Sequence, residues 1–537
     1  MAADKVCTSL VILGASPKEN EKSLMDQFWA ANRYMSGSYT DKESIAKLNA
    51  ELKKLENGYD VGNRLFYLAL PSSVFEEVAS CLRETAMSST GWNRIVLEKP
   101  FGKDSESYAQ LNRHICNLFT EDQVFRVDHF LSHEMIQTLL ILRFANYIFR
   151  SLWNSNSIKC VVVTYNETFG TEGRGGYFDE YGIIRDMVQN HLLQVLCLVA
   201  MEKPVTTGAK DIRDEKVKLL RCIPEAKLSD VVLGQYVGSL QAEGGAKAGY
   251  QDDESVPDGS LAPTFATVVL QIKNERWDGV PFILQCGKAL GEQRGEIRVQ
   301  FHDIPGDVFQ GKCHRNELVI RMLPDEAMYL KIMMKQPGFS FEPIQGELDL
   351  TYRTHFKDLL LPHPYERVIL SILSGDQASF VRSDELKEAW RIFTPLLHQI
   401  ENEHVTPYKY TYGRLTRVAH RQGAKAKPAF RSGSSTSHAH NEPTTGPEPP
   451  NGFLFNEKPL RPGEKRQKED WENIWVYGMT FNLLLAFAVV VLKPDTSISS
   501  WGRKKALERL SGEASGETTD DPVVPTEEEA GIVSEDS

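Results

Sequence analysis

Two hydrophobic patterns follow one another along this chain, and the switch between them constrains the fold more than any other feature. From residue 1 to about 127, β-rich runs alternate with helical segments. "NRLFYLAL" (Asn63 to Leu70), "NRIVLE" (Asn93 to Glu98) and "QVFRV" (Gln123 to Val127) are separated by "SSVFEEVASCLRETA" and "DSESYAQLNRHICNLF". Such alternation predicts a parallel sheet with crossover helices. Ser73 and Asp104 stand at N-cap positions, and Thr40 with Glu43 reads as a capping box opening "DKESIAKLNAELKKLEN". From about 128 to 413 long helical segments come first. Strand-like runs then succeed one another: "TFATVVLQIK", "GEIRVQF", "NELVIRML", "YLKIMMK" and "GELDLTY". This predicts an α+β domain with a large antiparallel sheet, closed by the helix "SDELKEAWRIFTPLLHQIE".

At the front, the apolar run Val6 to Leu13 meets Gly14, as a strand does before a turn whose amides hold a pyrophosphate. Pro17, Lys18 and Glu19 follow instead of further glycines, and only helix-like segments precede Asn63. Neither the additional strands of a doubly wound dinucleotide domain nor a residue for the ribose is found there. The residues alone leave open a dinucleotide site, the remnant of one, or an ordinary strand.

The 537 residues are enough for about three or four domain-sized units. A net charge of -12 and a pI near 5.7 argue against broad nucleic-acid binding, so an anionic substrate would need a local basic pocket. The eight cysteines form no C-x-x-C pair, which suits a reduced compartment and predicts no metal site. "MAADKVCTSL" has neither an apolar signal core nor an Arg-rich presequence character, so a cytoplasmic front part is expected. After Gly413 no acidic residue occurs until Glu442, while Arg414, Arg417, Arg421, Lys425, Lys427 and Arg431 recur. Residues 414–450 thus read as a basic disordered linker with the composition of a mitochondrial presequence. Ile474 to Leu492 is nineteen residues without a charge, long enough at about 1.5 Å per residue for a single transmembrane helix within a membrane module spanning 451–510. The tail 511–537 has no basic residue and is expected to be acidic and disordered.

Candidate chemistry lies between Glu98 and His191. Lys99 ends a predicted strand, where open parallel sheets bind ligands. "RVDHFLSHEM" supplies Asp128, His129 and His133 at another strand end. In "GYFDEYGIIRDMVQNHLLQVL", α-helical spacing makes Asp186, Asn190 and Gln194 a polar stripe, with His191 beside it. Taken singly, each has a plain structural reading: a satisfied core histidine or a solvated lysine. Together with a partial dinucleotide fold, a carboxylate orienting an imidazole is the equipment for removing a hydroxyl proton during hydride transfer.

"GYFDEYGIIRDMVQNHLLQVLCLVAMEKP", "RVDHFLSHEM", "EKPFGK" and "GTEGRGG" closely resemble the glucose-6-phosphate dehydrogenase family over roughly residues 5 to 413. The resemblance implies a Rossmann-like coenzyme domain (1–127), truncated here, and a substrate and oligomerisation domain (128–413). It implies oxidation of glucose 6-phosphate to the 1,5-lactone with NADP, and dimers or tetramers assembled through the sheet. By resemblance, His191 is the general base and Asp128 its orienting partner. Lys99 contacts substrate and coenzyme, His129 and Lys288 serve the sugar-phosphate region together with His133, and Glu167 and Asp186 serve the sugar hydroxyls. A second, structural NADP site is implied at Arg298, Arg321, Tyr329, Lys331, Asp349 and Thr351.

The chain also departs from the family. The coenzyme turn stops after Gly14, Ala15 and Ser16, and roughly fifty residues are absent, comparable to two crossover units of a half-Rossmann domain. "VILGAS" then reads as the stump of a dinucleotide site. Phe130 replaces a tyrosine, and His133 a lysine, giving an exposed side chain expected to be neutral above pH ~6.5; Gln293 replaces an arginine. From 451 to 505 the chain resembles the ESSS subunit of mitochondrial complex I, which implies the inner membrane and complex I as partners of the C-terminal part. Two other readings remain at this level: a catalytically inactive scaffold, and a complex I accessory subunit with an incidental dehydrogenase-like front.

Overall fold

The computed structural model describes residues 6–10, 30, 32–38, 41–242, 245–356, 361–414, 477 and 507. The chain divides into two units, Met1–Arg431 and Ser432–Ser537. Of the second, only Tyr477 and Leu507 are described, both exposed helical residues. Among the described residues no helix is long and apolar enough to cross a membrane. Apart from Tyr477, the expected span Ile474 to Leu492 lies outside them, as do nearly all of the linker, the membrane module and the acidic tail.

The predicted parallel sheet is present. β1 (Val6–Leu10), β2 (Val61–Leu68), β3 (Asn93–Leu97) and β4 (Val124–Val127) are adjacent, parallel and in sequence order. Helices Lys42–Glu56, Phe75–Thr85 and Ser105–Leu118 lie one in each of the three crossings. Ile45, Val78, Leu82, Leu111 and Ile115 from these helices share one core with Phe66, Leu68, Ile95 and Leu97 of the strands. The opposite face is closed from far along the chain: Val368 and Ile372 of helix Pro364–Ser374 pack on Leu65, Val96, Phe125 and Val127.

Asp104 caps its helix as expected, accepting from the Ser107 amide at 2.9 Å. The other two caps differ. Asp41 caps the first helix by accepting from the amides of Glu43 and Ser44, one residue beyond the expected Thr40. Ser73 lies inside a 3₁₀ turn, Ser72–Val74, that leads into its helix; Pro71, with its fixed φ, starts that turn and leaves no side-chain cap.

The second sheet is mixed rather than antiparallel. Its strands are β5 (Ile158–Asn166), β6 (Val231–Val237), β9 (Phe265–Gln271), β10 (Pro281–Gly287), β11 (Arg294–Phe301), β12 (Glu317–Leu323), β13 (Ala327–Lys335), β14 (Pro343–Asp349) and β16 (Tyr408–Thr411), with a small ribbon of β7 (Ser239–Ala242) and β8 (Gly245–Lys247) beside it. The order is β14-β13-β12-β11-β5-β10-β9-β6-β16, with β5–β10 and β6–β16 parallel. The cause is topological. After β5 the helical block Gly175–Arg221 returns the chain to the starting end of the sheet at β6, and two antiparallel steps, β6 to β9 and β9 to β10, bring β10 beside β5 in the same direction. A short β15 (Phe380–Val381) returns to the first sheet, antiparallel to β4. Helix Ser383–Asn402 follows, and its Trp390 indole donates to the Phe101 carbonyl at 2.9 Å.

Candidate active site

Four strand ends meet at one place: Lys99 lies just beyond β3, Asp128 beyond β4, Glu167 beyond β5 and Lys288 beyond β10. Glu167 and Lys288 sit side by side because β5 and β10 are parallel and in register up to Asn166 and Gly287. The remaining groups come from the segment Ile184–Leu192. The preceding helix breaks at Gly182, whose φ of 67° is left-handed backbone that favours glycine. The chain then winds as a π-helix. Its i→i+5 turns bring Asp186 and His191, five residues apart, onto one face. The α-helical stripe read from the sequence is therefore not formed. Asn190 instead caps locally, accepting from the His191 amide at 2.7 Å, and Gln194 turns inward to accept from Lys216 at 2.9 Å.

His191 Nδ1 lies 2.6 Å from Asp128 Oδ1, and both residues are almost fully buried, at 1% and 3% exposure. Burial opposes ionisation of Asp128, but the adjacent His191 outweighs it and holds the carboxyl below its usual range. Burial also lowers the affinity of His191 for a proton, against the pull of Asp128. An ionised carboxylate can only accept, so Nδ1 carries the hydrogen and Nε2 keeps its lone pair. The ring of Phe130 stacks flat on the imidazole, 4.2 Å between centroids and 7° between planes, and His129 packs edge-on at 4.8 Å. Phe130, expected only as a lost hydroxyl, thus fixes the plane of His191.

Around this pair the charges interlock. Lys99 Nζ donates to Asp186 Oδ1 at 2.9 Å and to the Asp186 carbonyl at 2.7 Å. Lys288 Nζ lies 2.6 Å from Glu167 and 3.5 Å from Asp186. Burial resists the charge on Asp186, yet the two lysines win and hold its carboxyl at about 2. Lys288 is raised against burial by Asp186 and Glu167. Two lysines thus face three carboxylates.

His129 and His133 supply no positive charge. His133 is not the exposed, titrating side chain expected from the sequence. Burial, with His363 and His191 nearby, pushes it down to about 4; burial, with His191, pushes His129 to about 3. The neighbourhood responsible is assembled from distant segments: His129 stacks on Tyr365 at 5.5 Å, and Tyr365 on His363 at 6.1 Å. Gln293 is exposed beside β11. The sequence reading also missed Glu98, which accepts from the Tyr67 hydroxyl and, beside Tyr365, is held above its usual range by burial. No local motif marks such contacts. Among the described residues no group of three or more His, Cys, Asp or Glu side chains could hold a metal ion.

Gly14, Ala15 and Ser16 lie outside the described residues. Among the described strands β1 pairs only with β2, and the order β1-β2-β3-β4 never reverses. Open α/β sheets bind a dinucleotide in the crevice that such a reversal creates. The four described parallel strands of this sheet contain no such reversal, and Lys99 lies beside Asp186 and His191 at their C-terminal ends. The expected structural-NADP residues do come together on the second sheet. Arg298, Tyr329 and Asp349 share one cross-strand row through Val319, and Lys331 sits opposite Glu317 two positions along the same strands. Arg321 donates to the Asp325 carbonyl, and the Thr351 hydroxyl accepts from the Met328 amide. Arg298 is already paired with Glu296 at 2.7 Å and Glu317 at 3.0 Å.

A base with its orienting carboxylate, set where strand ends of a nucleotide-type sheet meet those of a mixed sheet, is what a two-domain, alcohol-oxidising dehydrogenase requires, and the fold places the chain in that class. Residues 3–138 match the family model "Glucose-6-phosphate dehydrogenase, NAD binding domain" and 140–426 match "Glucose-6-phosphate dehydrogenase, C-terminal domain". The chain is 56% identical to glucose-6-phosphate 1-dehydrogenase of Takifugu rubripes over 395 residues, 74% of each protein. It is 57% identical to glucose-6-phosphate 1-dehydrogenase 2 of Mus musculus, over 74% of this chain and 77% of that one. A solved structure described as glucose-6-phosphate dehydrogenase in complex with its substrate glucose-6-phosphate superimposes with a TM-score of 0.72 at 42% identity, covering 78% of this chain and 87% of the other. The chain belongs to the glucose-6-phosphate dehydrogenase family, oxidoreductases that use NADP. Residues 416–521 separately match the "ESSS subunit of NADH:ubiquinone oxidoreductase (complex I)".

Proposed function

We propose that this chain oxidises the anomeric hydroxyl of glucose 6-phosphate to the 1,5-lactone, with His191 as the base. The observation that carries the reading is the buried His191–Asp128 contact of 2.6 Å, with Nε2 of a neutral imidazole left to accept the hydroxyl proton. Asp128 holds the tautomer and stabilises the imidazolium as it forms. Lys99, Lys288, Glu167 and Asp186 hold the sugar by exchanging their mutual contacts for its hydroxyls and phosphate, and His129 and His133 border that pocket. NADP, when bound, supplies the hydride acceptor, with Lys99 at its nicotinamide end. The phosphate receives little positive charge, because both lysines are already matched by carboxylates. In this reading the full chain forms NADPH from glucose 6-phosphate slowly, and His191→Asn removes that activity at unchanged sugar affinity. A His191→Asn chain as active as the parent overturns it.

The exposed apolar residues Met334, Phe341, Leu348 and Leu350 at the β13–β14 edge of the second sheet support assembly into dimers or tetramers through that edge, and the cytoplasm suits the dehydrogenase part. For the C-terminal part, the ESSS match and the uncharged run Ile474 to Leu492 support a membrane anchor and association with complex I. Full chain that stays monodisperse without detergent argues against the anchor.

A further inference from the structure

Two polar atoms close to the base are buried without a partner among the described residues: Oδ2 of Asp128 and Nε2 of Gln189. Their residues are 3% and 4% exposed. Both line one small cavity with the polar side chains of Lys99, Asn190, His191 and Gln194 and with apolar ones such as Phe101. It offers about 10 Å³ to water centres, the space of about one molecule. The two orphans are complementary to a single water: Gln189 offers an N–H for the water oxygen to accept, and Asp128 offers a carboxylate oxygen to which the water donates. Leaving a buried carboxylate oxygen unpaired costs more than leaving a neutral group unpaired.

We propose that Gln189 is a positioning residue for the Asp128–His191 pair, acting through one water that it holds against Oδ2 of Asp128. Oδ1 already accepts from the Phe130 amide at 3.2 Å and faces His191. With Oδ2 also engaged, the carboxylate cannot turn about its Cβ–Cγ bond, so Nδ1 keeps its hydrogen and Nε2 its aim. Gln189 touches neither sugar nor coenzyme in this scheme. It reaches the site because the π-helical turn sets it on the inner side, two residues before His191.

The inference rests on the reading of His191 as the base, and it is tested without turnover. A crystal structure of the full chain at high resolution should show a water within hydrogen-bond distance of both Asp128 Oδ2 and Gln189 Nε2. A dry cavity, or a direct contact between the two side chains, overturns the proposal. Nitrogen-15 spectra of the histidine-labelled full chain should show His191 as one tautomer with a slowly exchanging Nδ1 proton. In Gln189→Leu, close in volume, that proton should exchange about tenfold faster or the tautomers should mix, the scale of one hydrogen bond to a charged group. An unchanged spectrum overturns the role of Gln189. If instead His191→Asn keeps its activity while Gln189→Leu shifts the spectrum, the base assignment fails and the water network stands.

Discussion

Replacing His133 by lysine tests how the pocket treats the phosphate. At a folded-state value of about 4, His133 carries a proton on only about one molecule in a thousand at pH 7. A lysine there reaches further, carrying its ammonium on a flexible stem that replaces the buried ring. One charge-assisted hydrogen bond to phosphate is worth about 1.5–3 kcal/mol, or roughly tenfold to a hundredfold in affinity. The variant should therefore bind glucose 6-phosphate about that much more tightly at pH 8, reduced by whatever desolvation the ammonium retains.

The pH dependence separates two accounts. An exposed histidine would make the parent chain bind more tightly as pH falls through ~6.5. A histidine held at about 4 contributes nothing there, so the parent's affinity should follow only the sugar phosphate's own second ionisation near pH ~6 and lie flat above pH ~7. Calorimetric titration of glucose 6-phosphate into both chains from pH 5.5 to 8.5 needs no coenzyme. Parent affinity that climbs between pH 7.5 and 6 refutes the burial argument, and equal affinity of the two chains at pH 8 means that residue 133 does not meet the phosphate.

Asp128→Asn should present an amide donor to Nδ1 and force the hydrogen to Nε2, lowering turnover about 10²- to 10⁴-fold with little change in sugar affinity, as followed by NADPH formation. Phe130→Ala removes a buried ring that packs on His191 and Tyr165, and should cost about 3–5 kcal/mol, read as a fall in thermal midpoint. His129 and His133 resist protonation in the folded chain more than in the unfolded one, so the unfolded state takes up protons first as pH falls. Stability intact above pH ~6.5 should then be lost by about 1.4 kcal/mol per group per pH unit toward pH 4, and His133→Leu should lessen the slope of the midpoint against pH. Inserting the two missing crossover units after Ser16 should raise NADP affinity at least about a hundredfold; micromolar binding by the present chain would contradict this.

The parallel sheet was legible because each of its strands is a short run set off by a helical one, and the Asp104 cap because its signal is local. β5 was hidden by its position: it precedes a helical block, so a reading of helices followed by strands passes over "IKCVVVTYN", and with it the parallel pair at the centre of the second sheet. The face shared by Asp186 and His191 was not legible, since a period of 3.6 separates residues that the π-helix aligns. The neutrality of His133 depends on burial that only the assembled fold supplies, and then on His363, more than two hundred residues later. Those misses are tertiary in origin, whereas the departure after Ser16 was read from the residues alone and lies outside the described structure.

The missing turn read from the sequence and the proposed site are compatible because they draw on different strands. Lys99, Asp128, Glu167 and Lys288 come from the ends of β3, β4, β5 and β10, and Asp186 and His191 from the π-helix; β1, where the missing units would attach, contributes none of them. Nor does the remaining sheet need those units to cover its second face. Helix Pro364–Ser374 lies on it, and Arg94, stacked 3.9 Å over Trp92, donates to the carbonyls of Ile372 and Leu373 at 2.5 and 2.9 Å. That helix also delivers Tyr365 to His129 and to Glu98, beside Lys99. The second domain thereby holds the β3 and β4 ends in place from the side away from β1. In the proposed function, sugar binding and proton abstraction belong to that junction, while the grip on the adenosine half of NADP is assigned to strands beyond β1. On that reading the two functions are separable, which the sugar titration and the NADP-affinity measurement test independently.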